Sequence, residues 1–171
     1  SPLLTNFNLE ISKGERIALS GKNGCGKSSL IKLILGEDIP HTGEVYIAGG
    51  LKISYISQDT SWLKGGLASF AERRGLDDAL FRTVLKKLGL ERVQFEKRIE
   101  DYSEGQKKKV LLASSLCEPA HLFLWDEPLN FIDIFSRIQL EELLLSACPT
   151  MLFVEHDRAF REKTATRIVE I

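Results

Sequence analysis

Cysteine is scarce in this sequence: Cys25, Cys117 and Cys148 are odd in number and lack metal-ligand spacing. That argues against a disulfide framework or a zinc site and fits a reducing cytosol. Charge of one sign is lacking as well. With a formal net charge of -1, no field covers the whole surface to draw in nucleic acid or an anionic membrane, and any such contact must be local. No apolar run approaches the roughly 20 residues that cross a bilayer, so no membrane insertion is expected. The opening Ser1-Pro2-Leu3-Leu4 has no charged leader or cleavage pattern. Internal repeats and low-complexity tracts are missing. There is no initiator Met, and the chain starts almost inside a strand pattern, so a piece excised from a longer protein is expected. What remains is 43% hydrophobic content over 171 residues, enough for one globular domain with a real core.

The densest chemical signal is Gly21-Lys22-Asn23-Gly24-Cys25-Gly26-Lys27-Ser28, which fills every fixed position of G-x-x-x-x-G-K-[ST], a phosphate-binding loop. Arg16-Ile17-Ala18-Leu19 before it reads as a buried strand. The stretch from Ser28 to Leu35 reads as a helix ending at Gly36. Glycines at 21, 24 and 26 let the chain curl with its amide N–H groups inward, a concavity that suits an anion. The helix N-terminus adds free N–H groups and partial positive charge, Lys27 brings a cation to β/γ oxygens, and Ser28 offers a hydroxyl to Mg²⁺. Cys25 reads as a small residue filling a tight loop, with a redox handle as the alternative.

Residues 3–11 alternate loosely and predict a half-exposed strand. Val45-Tyr46-Ile47, the Gly49-Gly50 turn and Lys52-Ile53-Ser54-Tyr55-Ile56 predict a hairpin ending at Ser57-Gln58. From Leu67 to Leu90 the spacing turns helical, with Leu76, Leu80, Val84, Leu85 and Leu88 on one stripe and Arg73, Arg74, Lys86 and Lys87 on the solvated face. A further helix runs from Lys107 to about Cys117, capped by Ser103 or the residues just after it. Its Lys107, Lys108 and Lys109 fan around the axis and read as mainly solvated. Leu122-Phe123-Leu124-Trp125 and Met151-Leu152-Phe153-Val154 are continuous apolar runs, as expected of parallel strands buried on both faces. They deliver Asp126-Glu127 and Glu155-His156-Asp157 at the sheet edge where ligands bind. A helix over 134–146 joins them, and residues 167–171 close the pattern.

The phosphate loop, Gln58, Tyr102-Ser103-Glu104-Gly105-Gln106, Phe123-Leu124-Trp125-Asp126-Glu127 and His156 resemble, in that order and over nearly the whole chain, the ABC ATPase nucleotide-binding domain. Ser103-Glu104-Gly105-Gln106-Lys107-Lys108-Lys109, residues 126–133 and Phe153-Val154-Glu155-His156-Asp157 are similar to the ABC-F class. Within it they are most similar to the second nucleotide-binding domain of antibiotic-resistance, ribosome-protection proteins.

The resemblance implies an α/β P-loop NTPase of ABC type: a RecA-like parallel sheet core with an antiparallel β subdomain and a small helical insertion. Residues 1–58 and 106–171 would form the ATP-binding core, and 59–105 the helical subdomain with the signature segment. Residues 21–28 (Gly21, Lys22, Asn23, Gly24, Cys25, Gly26, Lys27 and Ser28) with Ser29 would hold the phosphates. Gln58 would sense Mg²⁺ and the attacking water, Ser28, Gln58 and Asp126 would serve the metal, Glu127 would be the base, and His156 would touch the γ-phosphate. Ser103, Gly105 and Gln106 would cap ATP on a second ABC domain in a head-to-tail sandwich, with Asp133 coupling the two sites.

Four positions depart from the common ABC pattern: Tyr102, Glu104, Leu129 and Glu155. A carboxylate at 104 would repel a γ-phosphate unless it points away. The adenine-stacking aromatic is expected before Leu3, since Phe7 reads as a core residue. The function implied is that of a cytoplasmic, Mg²⁺-dependent ATPase of an ABC-F factor on the ribosome, its full-length parent meeting rRNA and tRNA and countering an antibiotic. The alternative is the motor subunit of an ABC membrane transporter.

Overall fold

A computed structural model describes residues 4–171. Five strands among them form one parallel sheet in the order β2-β3-β4-β1-β5. These are β1 (Arg16–Ser20), β2 (Ile53–Ile56), β3 (Leu122–Asp126), β4 (Met151–Val154) and β5 (Arg167–Glu170). The helices are α1 (Lys27–Ile34), α2 (Leu67–Arg73), α3 (Asp78–Lys87), α4 (Glu104–Cys117), α5 (Ile134–Ala147) and α6 (Arg158–Thr164).

Each central strand is apolar at successive positions because both faces of the sheet are covered. Ile17, Leu19, Leu124, Leu152 and Val154 turn to the face that α1 covers through Ile31. The alternate residues Ala18, Phe123, Trp125, Met151 and Phe153 turn to the opposite core, where Val110 and Leu111 of α4, Phe81 of α3 and Leu140 of α5 meet them. Each buried side chain of this size contributes about 1.5–3 kcal/mol relative to exposure. The register sets Asp126 level with Val154, and Val154 level with Leu19. The residues that follow β1, β3 and β4 therefore emerge along one edge.

Trp125 is fully buried, and its indole N–H donates to Ser115 Oγ at 2.8 Å, which in turn lies 2.7 Å from Ser54 Oγ. The Ser115→Ala variant leaves two buried polar groups without this partner. It should lose about 1–3 kcal/mol, read as a lower urea midpoint at unchanged slope.

Three expectations need correction. Among the described residues the antiparallel β subdomain does not form as paired strands: residues 4–11 and Val45, Tyr46 and Ile47 belong to no strand. Residues 1–3 lie outside the described part. Gly50, at φ 73°, does make the turn, but Ile53–Ile56 pairs in parallel with β3 instead of folding back. The reason is burial. Against β3, Ser54 and Ile56 are 1% and 2% exposed, whereas Val45, Tyr46 and Ile47 are 46%, 89% and 39% exposed.

The second correction concerns α3, where Leu80 is half exposed and Phe81, one position on, occupies the core. A one-residue step turns a helical side chain by 100°, enough to exchange the two. The third is Phe7, which is half-buried and belongs to neither apolar cluster.

Candidate active site

Between β1 and α1 the loop turns through Gly24 (φ 81°) and Gly26 (φ 106°), a left-handed geometry that side chains resist. Gly21 is required for a different reason: a Cβ there would lie 2.7 Å from Cys25 Sγ and 2.9 Å from the Ile171 carbonyl oxygen. No side chain caps α1, so its first amides stay available to an anion. Lys27 is buried at 8% exposure and its ammonium donates to the carbonyls of Gly21 and Lys22. Lys22, Asn23, Gly24 and Ser28 face solvent, while Cys25 and Ser29 are half-buried.

Across the edge, the exposed Gln58 follows β2 and donates its amide N–H to Asp126 Oδ2 at 3.3 Å. Burial holds the Asp126 carboxyl above its ordinary pKa. The Gln58 hydrogen bond opposes that rise, Glu127 adds to it, and Lys108 and Lys27 act against it. A carboxylate, an amide oxygen and the Ser28 hydroxyl are the hard oxygen donors that suit Mg²⁺.

Glu127 adopts φ 50°, a left-handed conformation costing about 1–2 kcal/mol for a residue with a side chain. Its N–H donates to the Val154 carbonyl at 2.8 Å. Its carboxylate lies between two side chains, with Oε1 3.0 Å from His156 Nε2 and Oε2 accepting from Asn130 Nδ2 at 3.0 Å. Strand ends thus bring together Gln58 with Asp126 and Glu127 with His156, as the sequence predicts.

The family model described as ABC transporter matches residues 4–130. The chain belongs to the ABC transporter family. Relatives of this ABC domain include ABC-F members. It is 33% identical over 167 residues to the ribosome protection protein VmlR of Bacillus subtilis, covering 95% of this chain and 30% of that protein. It is 31% identical to the ABC transporter F family member 2 of Arabidopsis thaliana, covering 99% of this chain and 26% of that one. Among solved structures, archaeal ribosome recycling factor aABCE1, in complex with the ribosomal stalk protein aP1, superposes with a TM-score of 0.78 at 25% identity over 94% of this chain and 32% of that one. The domain spans about a third of the length of these proteins. No helix among the described residues is long and apolar enough to cross a membrane.

The segment Ser103-Glu104-Gly105-Gln106 opens α4. Ser103 Oγ accepts from the Gln106 N–H at 3.2 Å, and Gln106 Oε1 accepts from the Ser103 N–H at 2.9 Å, a closed capping box. Glu104 is engaged elsewhere: Thr60 donates its hydroxyl to it at 2.6 Å and Lys107 lies 3.7 Å away. Asp133 caps α5 by accepting from the Ser136 N–H at 2.7 Å and pairs with Lys109 at 3.3 Å. Among the described residues no hydrogen bond joins Ser103, Gly105 or Gln106 to the phosphate loop of the same chain.

The lysine run departs from its sequence reading. Lys108 is 1% and Lys109 8% exposed, because α4 is buried from Lys108 through Ser115 on nearly all its circumference. Sequence reasoning also gave no role to Glu155. It is 6% exposed and its carboxylate accepts from the N–H groups of Leu129 at 3.0 Å, His156 at 2.9 Å and Asp157 at 3.3 Å. A charged residue directly after four apolar strand residues was the available signal.

Proposed function

We propose that this ABC domain hydrolyses ATP within an ABC-F factor acting on the ribosome in the cytoplasm, with protection against an antibiotic as the outcome. Glu127, fixed by His156 and Asn130 at the sheet edge that also carries the phosphate loop, is the observation that carries the reading. Residues 1–58 and 106–171 serve as the ATP-binding core, and 59–105 as the helical subdomain.

The amides of residues 21–29 cradle the phosphates, and the Lys27 ammonium leaves its two loop carbonyls for their oxygens. Ser28, Gln58 and Asp126 would hold Mg²⁺, which supplies charge neutralisation at those oxygens. Glu127 orients water in line with the γ-phosphorus and takes its proton as the P–O bond to the β-phosphate breaks and ADP leaves with the electron pair. His156 fixes Glu127 and meets the γ-phosphate. Ser103, Gly105 and Gln106, unconnected to the chain's own phosphate loop, act on ATP held by a second ABC domain, with Asp133 at the joint between the two. The Thr60–Glu104 hydrogen bond supports this cap, because it gives the carboxylate at 104 a partner within its own chain.

The ribosome enters through relatives: VmlR is a ribosome protection protein and aABCE1 a ribosome recycling factor. With a slowly hydrolysed ATP analogue, the full-length protein should sediment with ribosomes, and with ADP it should remain in the supernatant. Sedimentation indifferent to nucleotide would overturn the ribosomal reading and leave the transporter-motor alternative.

A further inference from the structure

Glu155 directly follows the apolar run of β4 and is 6% exposed, with both oxygens of its carboxylate in use. Oε1 accepts from the N–H groups of His156 at 2.9 Å and Asp157 at 3.3 Å, a local turn at the strand end. Oε2 accepts from the N–H of Leu129 at 3.0 Å, in the loop that follows β3. Backbone N–H groups are the partners that make a buried carboxylate tolerable. Glu155 thus bridges the two strand ends that deliver Glu127 and His156.

The two ends are not equally secure. On the β4 side, Asp157 accepts from the Phe160 N–H at 2.8 Å, capping α6, and from Arg137 of α5 at 3.0 Å, so this segment is anchored independently of Glu155. On the β3 side, Glu127 at φ 50° and Phe131 at φ 65° both hold left-handed backbone, which side chains disfavour and which persists only where the surroundings impose it. The loop's backbone bonds from the Asn130 N–H to the Glu127 carbonyl at 3.4 Å and from the Ile132 N–H to the Leu129 carbonyl at 3.0 Å stay within it. Next to Leu129 stands Asn130, whose Nδ2 donates to Glu127 Oε2 at 3.0 Å.

We propose that Glu155 is a positioning residue for hydrolysis: its carboxylate clasps the 128–131 loop to the end of β4 and so keeps Asn130 aimed at Glu127. The inference rests on the ATPase reading above. Glu155 takes no proton and meets no nucleotide; it acts through the Leu129 N–H and Asn130. Without that bond the left-handed turn relaxes, Asn130 moves, and Glu127 keeps only His156 of its two holders. Residues 21–29, which follow β1, lie outside this connection, so nucleotide binding does not depend on it.

The test uses the full-length protein, with steady-state ATPase kinetics and binding of a fluorescent ATP analogue measured on each variant. Glu155→Gln keeps the volume, but an amide has one acceptor oxygen. That oxygen is best satisfied by the two N–H groups of His156 and Asp157, which sets the amide NH2 against the Leu129 N–H. Glu155→Asp keeps the charge and the local turn, a geometry natural to aspartate, and is one methylene too short for Leu129. Both variants should lower kcat about tenfold, below the roughly 10²-fold of a full 1 Å misplacement, and leave analogue affinity within about twofold. In an Asn130→Ala background, where the connection is already cut, Glu155→Gln should cost less than about twofold in kcat.

Either variant with a kcat within about threefold of the parent's would overturn the proposal, as would losses of Glu155→Gln and Asn130→Ala that simply multiply. Affinity falling in parallel with kcat would do the same, because it makes Glu155 a general packing residue. If Glu155→Gln does not fold, Glu155→Asp carries the test and the cycle with Asn130→Ala, and failure of both to fold counts against the idea. No turnover by the unsubstituted protein would remove the ATPase reading and this inference with it. Turnover that depends on Glu127 and survives both Glu155 substitutions removes the inference alone.

Discussion

Glu127→Gln should bind ATP as tightly as the unsubstituted protein while turning it over about 10²- to 10⁴-fold more slowly, the range of a positioned general base. The substitution keeps volume and length, so an oxygen can still accept from Asn130 Nδ2, now 3.0 Å from the carboxylate. What disappears is the capacity to take a proton. The left-handed backbone at 127 is fixed by the N–H bond to Val154, which the substitution does not touch. Nucleotide affinity would rest on residues 21–29, which follow β1, separated from β3 by β4 in the sheet. Single-turnover hydrolysis and fluorescent-nucleotide titration separate the two quantities. Unchanged turnover would remove Glu127 from its proposed role.

His156 gives this prediction a second arm. Its Nε2 is 3.0 Å from Glu127 Oε1 and its side chain is 56% exposed, so it can reach a ligand without a large rearrangement. In the Glu127→Gln protein that contact becomes an amide–imidazole pair. The histidine stays in place while the base is lost, and binding and hydrolysis should part.

Much of the site was legible because its residues sit in short contiguous runs whose local physics is decisive. Glycines at 24 and 26 do adopt left-handed geometry, and β3 and β4 are the buried strands their apolar runs predicted, so Asp126, Glu127 and His156 fall where strand ends must put them. The cap of α4 by Ser103 was equally local, while its reciprocal contact with Gln106 came from the structure. What escaped depends on tertiary burial. Lysines on a helix are read as solvated because a free helix has an outside, but α4 is enclosed between β2 and α3 and loses that outside over Lys108–Lys109. The Val45–Ile47 strand failed for the opposite reason: the turn at Gly50 forms, but the three residues stay exposed among the described residues and gain no burial from pairing. Glu155 was visible as a residue out of place, but its role needed the Leu129 N–H, 26 positions away.

The second large effect is expected at Gly105, where two physical tendencies conflict. Gly105 lies in the first turn of α4, so Gly105→Ala should favour the helix by about 0.5–1 kcal/mol on propensity alone. A Cβ at 105, however, would stand 2.5 Å from the Phe131 carbonyl oxygen, a backbone atom without rotamer freedom. Overpacking of that kind costs about 1–3 kcal/mol, so contact outweighs propensity and the variant should be slightly less stable than the parent.

The functional loss should be larger than the stability loss. Phe131 belongs to the loop between Asn130, which holds Glu127, and Asp133, which caps α5. Relieving the clash shifts either the proposed signature cap or that loop by a sizeable fraction of an ångström. Misplacement on the scale of 1 Å can cost about 10²-fold in rate, and Gly105→Ala should lower ATP turnover by about that factor while fluorescent-nucleotide binding stays at the parent level. Gly105→Ser meets the same carbonyl through its own Cβ and should behave alike, so that a polar side chain does not rescue what a methyl group breaks. Full turnover by both variants would mean that α4 and the 128–133 loop separate freely during the cycle.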